Sequence, residues 1–551
     1  MSDSLKTSRV RATTLGDLLL TAADSRPDEL AVVLPDVRFT YQELADQSLA
    51  CARSLHALGV ERGDHVGILL PTCEEFLTAM FGIALLGGVV VPINARYKPS
   101  EIAYLTENAD LKAILTSSRF AENVDFVARL HEALPGLADA PDPMALSLSA
   151  FPELGAVVTL TGPDAAGMVD AVAFATLVGS VDEDDVHLRR LQTRLGSTAL
   201  MLYTSGTTAN PKGCMISHEA MVRSSIALGR RYALSADDRF WSPLPMFHIA
   251  AILPLVAIFD VGGAYVTAEH FNAGEALAML EAEQATVTYP CFWTIMGDLV
   301  QHADFAKRDL SAVRLMNANF AVQPAAVAEA MEEAMPDTVY VGTFGMTEMA
   351  GTVTTGRIGD SKAHRFTRLG MPMPGLEVRI QNPETGTEQP VGEKGECLIR
   401  GYSQFTEYYK SPEKTAEALD ADGWFHSGDI CSLDEDGQLM FHGRLKDMLK
   451  VGGENVAAAE IESCLQQHDA VRLAQVVGVP DARYQEVAAA FVELNDDARV
   501  DENALIDHCK ERIAGFKVPR YVRFVTEWPM SSTKIQKFRL AEQLTSELGL
   551  G

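Results

Sequence analysis

Cysteine is scarce and scattered: eight residues in 551, with no CxxC pair and no Cys/His cluster at the spacing of a zinc site. This excludes a disulfide-framed secreted fold, and reduced thiols are expected. Positive charge is also in deficit. Lys and Arg number 46 against 75 Asp and Glu, a formal net charge of -29, which repels nucleic-acid phosphates and anionic lipid headgroups at long range. No nucleic-acid partner is expected, and a polyanionic ligand needs a local pocket of cations and backbone N–H groups. Met1 to Arg11 lack the apolar core of a signal peptide, so a cytoplasmic location is expected. One uncharged run, Phe76 to Ile93, has the length of a membrane span, but Gly87, Gly88 and Pro92 interrupt it. It reads as a buried helix followed by a buried strand, leaving no integral membrane segment.

What is present is ample apolar content, 47% of a chain too long for one core, so two or more packed domains are expected. Thr40 followed by Glu43 fits a capping box, with Leu44, Leu49, Ala52 and Leu55 at helical spacing up to Gly59. Short β-rich runs, His65 to Leu70 and Val89 to Ile93, then alternate with helical stretches such as Glu101 to Asn108, which argues for α/β architecture. Ala138 to Asp185, rich in Pro, Gly, Ala and acids, reads as loops around a strand near Ala156 to Leu160. From Glu396 onward short strands and turns dominate. A composition change near Arg444 suggests a second, smaller domain.

The most informative segment is Tyr203-Thr-Ser-Gly-Thr-Thr-Ala-Asn-Pro-Lys-Gly213, directly after an apolar strand. Hydroxyls of Thr204, Ser205, Thr207 and Thr208, with backbone N–H groups freed by Gly206, can donate to phosphate oxygens while Lys212 offsets their charge. An ordinary surface turn seldom concentrates so many donors beside one lysine. A Walker A loop needs Gly before its Lys and Ser or Thr after it, whereas Pro211 and Gly213 flank Lys212.

The loop instead resembles the signature of the adenylate-forming superfamily of acyl-CoA synthetases, adenylation domains and luciferases, departing from it at Ala209. Further motifs follow in that family's order: Thr343-Phe-Gly-Met-Thr-Glu348, Ser427-Gly-Asp429, Gly443 to Val456, and Pro529-Met-Ser-Ser-Thr-Lys-Ile-Gln-Lys537. The resemblance spans about Thr40 to Leu540. It implies an α/β fold: a large N-terminal domain of α/β layers with a β-rich subdomain (1–445), and a small mobile α+β C-terminal domain (446–551) hinged near Lys446.

The resemblance also implies roles. Phe344 and Gly345 would line the adenine site, Thr347 the α-phosphate, and Glu348 would hold Mg2+ bridging ATP oxygens. Asp429 would accept bonds from the ribose hydroxyls, with Arg444 beside it. Lys534 is the candidate adenylation lysine, with Lys537 its rival because the usual Gly before the lysine is missing. Lys534, Thr204, Glu348 and His248 form the implied catalytic set. Lys450, Gly452 and Gly453 would meet the pantetheine arm of CoA. Ala458 stands where many relatives carry Pro.

Acyl-pocket segments, again from the resemblance, are Phe240 to Ile252, Cys291 to Gly297 and Asn317 to Pro324, with His248, Phe292, Asn319 and Phe320 as wall residues. Phe320 either shortens the pocket or turns into the core. His248 would orient the carboxylate, unless it is a structural residue, the interpretation preferred for His218. Phe240 to Ile252 contains no acid to pair with an α-ammonium, which disfavours amino acids and favours an acid with an aliphatic, aromatic or alicyclic body. The implied activity is that of an AMP-forming acid–CoA ligase using ATP, Mg2+ and CoA, in fatty or aromatic acid metabolism. The alternatives are transfer to a carrier protein's phosphopantetheine and a non-catalytic nucleotide-binding relative. A homodimer stays open.

Overall fold

The computed structural model describes residues 13–204, 211–322, 325–451, 454–481, 483–530 and 535–550. Residues 30–341 are built on two largely parallel sheets. One has six strands in the order Ala156–Thr159, Leu111–Thr116, His65–Ile68, Val89–Pro92, Thr198–Thr204 and Lys212–Ser217, with only the last pair antiparallel. The other runs Val339–Val341, Leu315–Asn317, Val287–Thr288, Arg239–Trp241, Ala264–Val266, Leu30–Val33 and Arg38–Thr40. Strands such as Val89–Pro92 and Ala156–Thr159 are buried along their whole length, the pattern expected where helices cover both faces of a parallel sheet.

The helix Tyr41–Ala57 starts at Thr40 with the expected reciprocal capping box to Glu43. It packs on the helix Glu74–Leu85, and Gly82 permits the approach: a Cβ there would lie 2.9 Å from the Ser48 carbonyl oxygen. The run Phe76 to Ile93 resolves into that helix, a turn and the strand Val89–Pro92. Among the described residues no helix is long and apolar enough to cross a membrane. All eight cysteines are free, and all but Cys291 are buried.

The stretch expected to be loops holds more structure. Ala171–Thr176 is helical, capped by the Asp170 carboxylate on the Ala173 N–H, and Glu183–Gln192 is a further helix. Glu183, Asp184 and Asp185 fill the first turn of the latter and Arg189 and Arg190 the last, so acids that resemble loop composition are complementing a helix dipole.

After the three-stranded sheet Thr343–Met346, Gly351–Thr355, Met371–Pro372 comes a four-stranded antiparallel sheet, Leu376–Gln381, Gly395–Gly401, Phe425–Leu433 and Leu439–Arg444. The final sheet contains Glu454–Ala457, Met448–Val451, Gln485–Leu494 and Val471–Asp481, with Tyr521–Phe524 parallel to Gln485–Leu494. Along Gln485–Leu494, Ala488, Ala490 and Val492 pack with Ile461, Leu465 and Leu505, while Val487, Ala489 and Phe491 pack with Leu540 and Leu544. Period-two alternation thus gives this sheet a core on each face, and every residue of both cores lies after Leu445.

His218 opens the helix His218–Arg231 and is fully buried. Its Nδ1 accepts the backbone N–H of Leu15, 3.2 Å away, at the start of the helix Leu15–Ser25. The ring therefore satisfies an otherwise orphaned N-terminal donor. Burial lowers its pKa to about 4. The unfolded chain binds the proton first, so stability is complete above the ordinary value of about 6.5 and is lost as pH falls through that value toward 4, by on the order of 3 kcal/mol at full protonation. His442, lowered to about 4 by burial and by Lys394, adds in the same direction. We expect urea midpoints to fall between pH 7 and pH 4.5, and to fall less steeply in His218→Asn, whose Oδ1 can accept the same N–H.

Candidate active site

The hydroxyl-rich segment joins the two arms of a β-hairpin. Thr198–Thr204 runs antiparallel to Lys212–Ser217, with Thr204 opposite Lys212. Ser205, Gly206, Thr207 and Thr208, at the connection, lie outside the described residues. The next helix in the chain, His218–Arg231, begins only after the return strand Lys212–Ser217, whereas a Walker A loop leads straight into its helix.

Both flanks of the hairpin are braced. From the helix Pro99–Asn108, the Tyr104 hydroxyl donates to the Pro211 carbonyl at 3.2 Å, and Asn108 accepts from the Tyr203 hydroxyl at 2.7 Å. On the other side Thr406–Tyr409 lies along the return strand: Thr406 N–H donates to Met215 O at 2.8 Å, Met215 N–H to Glu407 O at 3.0 Å and Tyr409 N–H to Gly213 O at 2.8 Å.

The second motif enters on Thr343–Met346. Phe344 is nearly buried, its ring centroid 6.4 Å from that of Phe441. Gly345 is obligatory, since a Cβ would lie 2.1 Å from the Gly351 carbonyl oxygen. Thr347 and Glu348 occupy the turn Thr347–Met349, which ends on Ala350 at φ 47°. A non-glycine residue in that region stores strain of order 1 kcal/mol, as is common where a turn must aim a side chain. The Glu348 carboxylate accepts the Tyr408 hydroxyl at 2.8 Å, and its carbonyl accepts Phe405 N–H at 2.7 Å. Lys212 Nζ lies 4.4 Å from the centroid of the same Tyr408 ring. The hairpin that carries Lys212 and the Glu348 turn therefore meet on one aromatic residue that sequence reasoning missed. Only the Tyr408-Tyr409 doublet hinted at it, because a buried phenol needs a partner for its hydroxyl.

Among the described residues no three His, Cys, Asp or Glu side chains form a metal cage. Magnesium commonly takes one or two carboxylates plus substrate oxygens and water, and the single Glu348 carboxylate, with one oxygen engaged by Tyr408, fits that role.

Asp429 and Arg444 face each other across adjacent strands, Arg444 Nε 2.9 Å from Asp429 Oδ1, with Asp429 only 2% exposed. The predicted acyl segments are tied together. Asn319, at φ 52°, donates to the Cys291 carbonyl at 3.3 Å and accepts the Thr343 N–H, while Asn317 donates to Thr343 Oγ1 at 2.7 Å. Phe292 precedes the helix Trp293–Gln301, and His248 precedes Ile249–Val261, its ring 4.7 Å from Phe247. Of the two orientations open to Phe320, the inward one is observed: it is 6% exposed, with Tyr340 and Phe366 each 4.8 Å from its ring. Aromatic stacking in the core claims the side chain, so it does not act as an acyl wall.

In the C-terminal region, Gly452, Gly453 and Lys534 lie outside the described residues, as do the side chains of Lys446 and Lys450. Lys537 is described, and it is occupied. Its ammonium lies 2.6 Å from Glu462 Oε1, which also accepts the Val476 N–H. Already paired with a carboxylate of the C-terminal region, Lys537 is a poor candidate for a mobile catalytic ammonium.

The AMP-binding enzyme family matches residues 19–409, and the AMP-binding enzyme C-terminal domain matches 460–534. The YngI protein of Bacillus subtilis (strain 168), which carries an acyl-CoA synthetase name, is 35% identical over 96% of this chain and 97% of its own. A ligase of Rhodococcus jostii that is named for joining CoA to a methyl-dioxo-octahydroindenyl propanoyl group is 33% identical over 96% of this chain and 99% of its own. Among solved structures, the anthranilate CoA ligase AuaEII in complex with anthranoyl-AMP superposes with a TM-score of 0.84 at 27% identity, covering 99% of this chain and all of that one.

The Lys537–Glu462 pair yields a prediction. Lys537→Met should lower unfolding stability by about 1–3 kcal/mol, because it strands a half-buried carboxylate. Nucleotide affinity should stay within about twofold, since both partners of the pair belong to the C-terminal region and Lys537 is already engaged by Glu462. Denaturant titration and calorimetric nucleotide binding separate the two effects.

Proposed function

This chain belongs to the AMP-binding enzyme family, and on that premise we infer that it is an ATP-dependent acid–CoA ligase. It activates a carboxylic acid to an acyl adenylate with release of pyrophosphate, then passes the acyl group to the thiol of CoA, leaving AMP. The observation that carries this is the meeting of Lys212 and Glu348 on Tyr408: a phosphate-binding cation and a carboxylate suited to a metal, held on one rigid support.

In the first half-reaction a carboxylate oxygen attacks the α-phosphorus as pyrophosphate departs, so negative charges crowd one centre and neutralising them is the main task. The hairpin hydroxyls of Thr204, Ser205, Thr207 and Thr208, with Lys212, hold the leaving phosphates. A magnesium ion on Glu348 would supply further charge neutralisation there. Phe344 and Gly345 border the adenine, Thr347 the α-phosphate, and the Asp429–Arg444 pair the ribose. Lys534 bridges the attacking carboxylate and the phosphate. The occupied state of Lys537 supports Lys534 over its rival. No protein nucleophile is required.

We assign 1–445 to an AMP- and acyl-binding domain and 446–551 to a C-terminal domain that turns about Lys446 between the half-reactions, bringing Lys450, Gly452 and Gly453 to the pantetheine arm. The separate cores on either side of Leu445 support that division. The acid has an apolar body: Phe240 to Ile252 and Cys291 to Gly297 contain no acidic, lysine or arginine side chain, and the ring systems in the names of the two ligases above are of that kind. CoA, rather than a carrier protein's phosphopantetheine, is the acceptor named for these relatives.

The test is a panel of aliphatic, aromatic and alicyclic acids with ATP, magnesium and CoA, followed by mass spectrometry for AMP and thioester. Turnover confined to amino acids would overturn the acid class. Lys534→Ala should slow adenylation roughly 100-fold or more, the scale for removing one preorganised charge, while sparing thioester formation from supplied adenylate. Equal impairment of both steps contradicts the assignment. Lys446→Pro should leave adenylate formation intact and block thioester formation, as single-turnover rates of each step would reveal.

A further inference from the structure

Tyr408 has a role that follows from its surroundings. The residue is 5% exposed, and its backbone is clamped: its N–H donates to Thr415 Oγ1 at 3.0 Å, its carbonyl accepts Ser411 N–H at 3.0 Å, and both neighbouring segments are stitched to the hairpin's return strand. The Phe405 ring, 4.7 Å away, packs against it, and the Phe405 N–H holds the Glu348 carbonyl. The phenol therefore has little freedom. One end of it touches an anion and one face a cation: the hydroxyl donates to Glu348 Oε1, and Lys212 Nζ sits over the ring.

Opposite charges this close to a common support would gain energy by collapsing into a direct ion pair. Among the described residues, no such ion pair forms between Lys212 and Glu348. The Tyr408 side chain touches both and offers each a substitute partner, a quadrupole face for the ammonium and an O–H donor for the carboxylate. Both substitutes are weaker than a counterion, and both leave part of the charged group unspent.

We propose that Tyr408 is a positioning residue that keeps Lys212 and Glu348 apart and aimed, so that the ammonium stays available to phosphate oxygens and the second Glu348 oxygen to a divalent cation. This rests on the ligase reading above only for the identity of the nucleotide. The two functions of the side chain separate by substitution. Tyr408→Phe keeps the ring and deletes the hydroxyl, so it frees the carboxylate but leaves the ammonium in place. Tyr408→Leu deletes both and lets the charges pair.

The experiment measures Mn2+ binding by electron paramagnetic resonance in the presence of a non-hydrolysable ATP analogue, nucleotide affinity in EDTA by calorimetry, and KM for Mg2+ in acid-dependent pyrophosphate exchange. For Tyr408→Phe the expectation is about a tenfold loss of Mn2+ affinity, the scale for removing the partner that orients a metal-binding carboxylate, and a matching rise in KM for Mg2+. Its metal-free nucleotide affinity stays within about twofold because the cation–π contact survives. Tyr408→Leu additionally loses about fivefold in metal-free nucleotide affinity. Unchanged Mn2+ affinity in Tyr408→Phe, or equal losses of metal-free nucleotide affinity in both variants, overturns the proposal. If Tyr408→Leu does not fold, the split within Tyr408→Phe still decides it. A wild-type chain without pyrophosphate exchange would defeat the ligase reading, whereas the two binding measurements would still judge Tyr408.

Discussion

The antiparallel pairing of Thr198–Thr204 with Lys212–Ser217 is the constraint on which the rest of the site depends. A chain with a net charge of -29 can admit a polyphosphate only where donors and a cation are already assembled. The hairpin sets Lys212 opposite Thr204, and hydrogen bonds brace it on both flanks. Tyr104 and Asn108 brace it from one helix, and Thr406–Tyr409 pairs along its other edge. Because that edge segment also carries Tyr408, the same hydrogen-bond ladder that stiffens the hairpin aims the Glu348 carboxylate.

The energetic organisation separates two kinds of requirement. Stability comes from cores that close on themselves: the large N-terminal clusters, and two smaller ones on the faces of the last sheet. The candidate site is made from turns, and three of its residues, Cys291, Asn319 and Ala350, are at positive φ. Asn319 is held in that conformation by its own side chain, bonded to Cys291 and Thr343. This couples the apolar segment that begins at Cys291 to the motif that carries Phe344 and Glu348. Small strains of this kind persist only because the packing around them over-determines the turn.

Much of the architecture was legible from local pattern. The capping box at Thr40, the interrupted apolar run at Phe76 and the alternation of strands with helices translate directly into the elements observed, since capping, periodicity and glycine placement act within a few residues of chain. The acids of Glu183 to Asp185 misled for the same local reason: composition cannot tell a solvated loop from the first turn of a helix, whereas the arginines one helix length later can. Phe320 and Tyr408 lay beyond such rules. Phe320 is claimed by Tyr340 and Phe366, and Tyr408 by Glu348, partners that are distant or unordered in sequence.

By itself, the sequence determined the chemistry on offer: hydroxyls and a lysine in one glycine-bearing turn, a carboxylate in a second motif, an aspartate and arginine in a third, and apolar segments without an acid to receive an ammonium. Residue type and short-range order are enough for that. Only the tertiary structure decided which of these groups are free to act. It tied Lys537 to Glu462, turned Phe320 inward, gave His218 to the N–H of Leu15, and brought one phenol against both Lys212 and Glu348. Availability of a charged or aromatic side chain depends on which partner reaches it first in space, and partners brought together by sheet order and helix packing leave no mark on the local sequence.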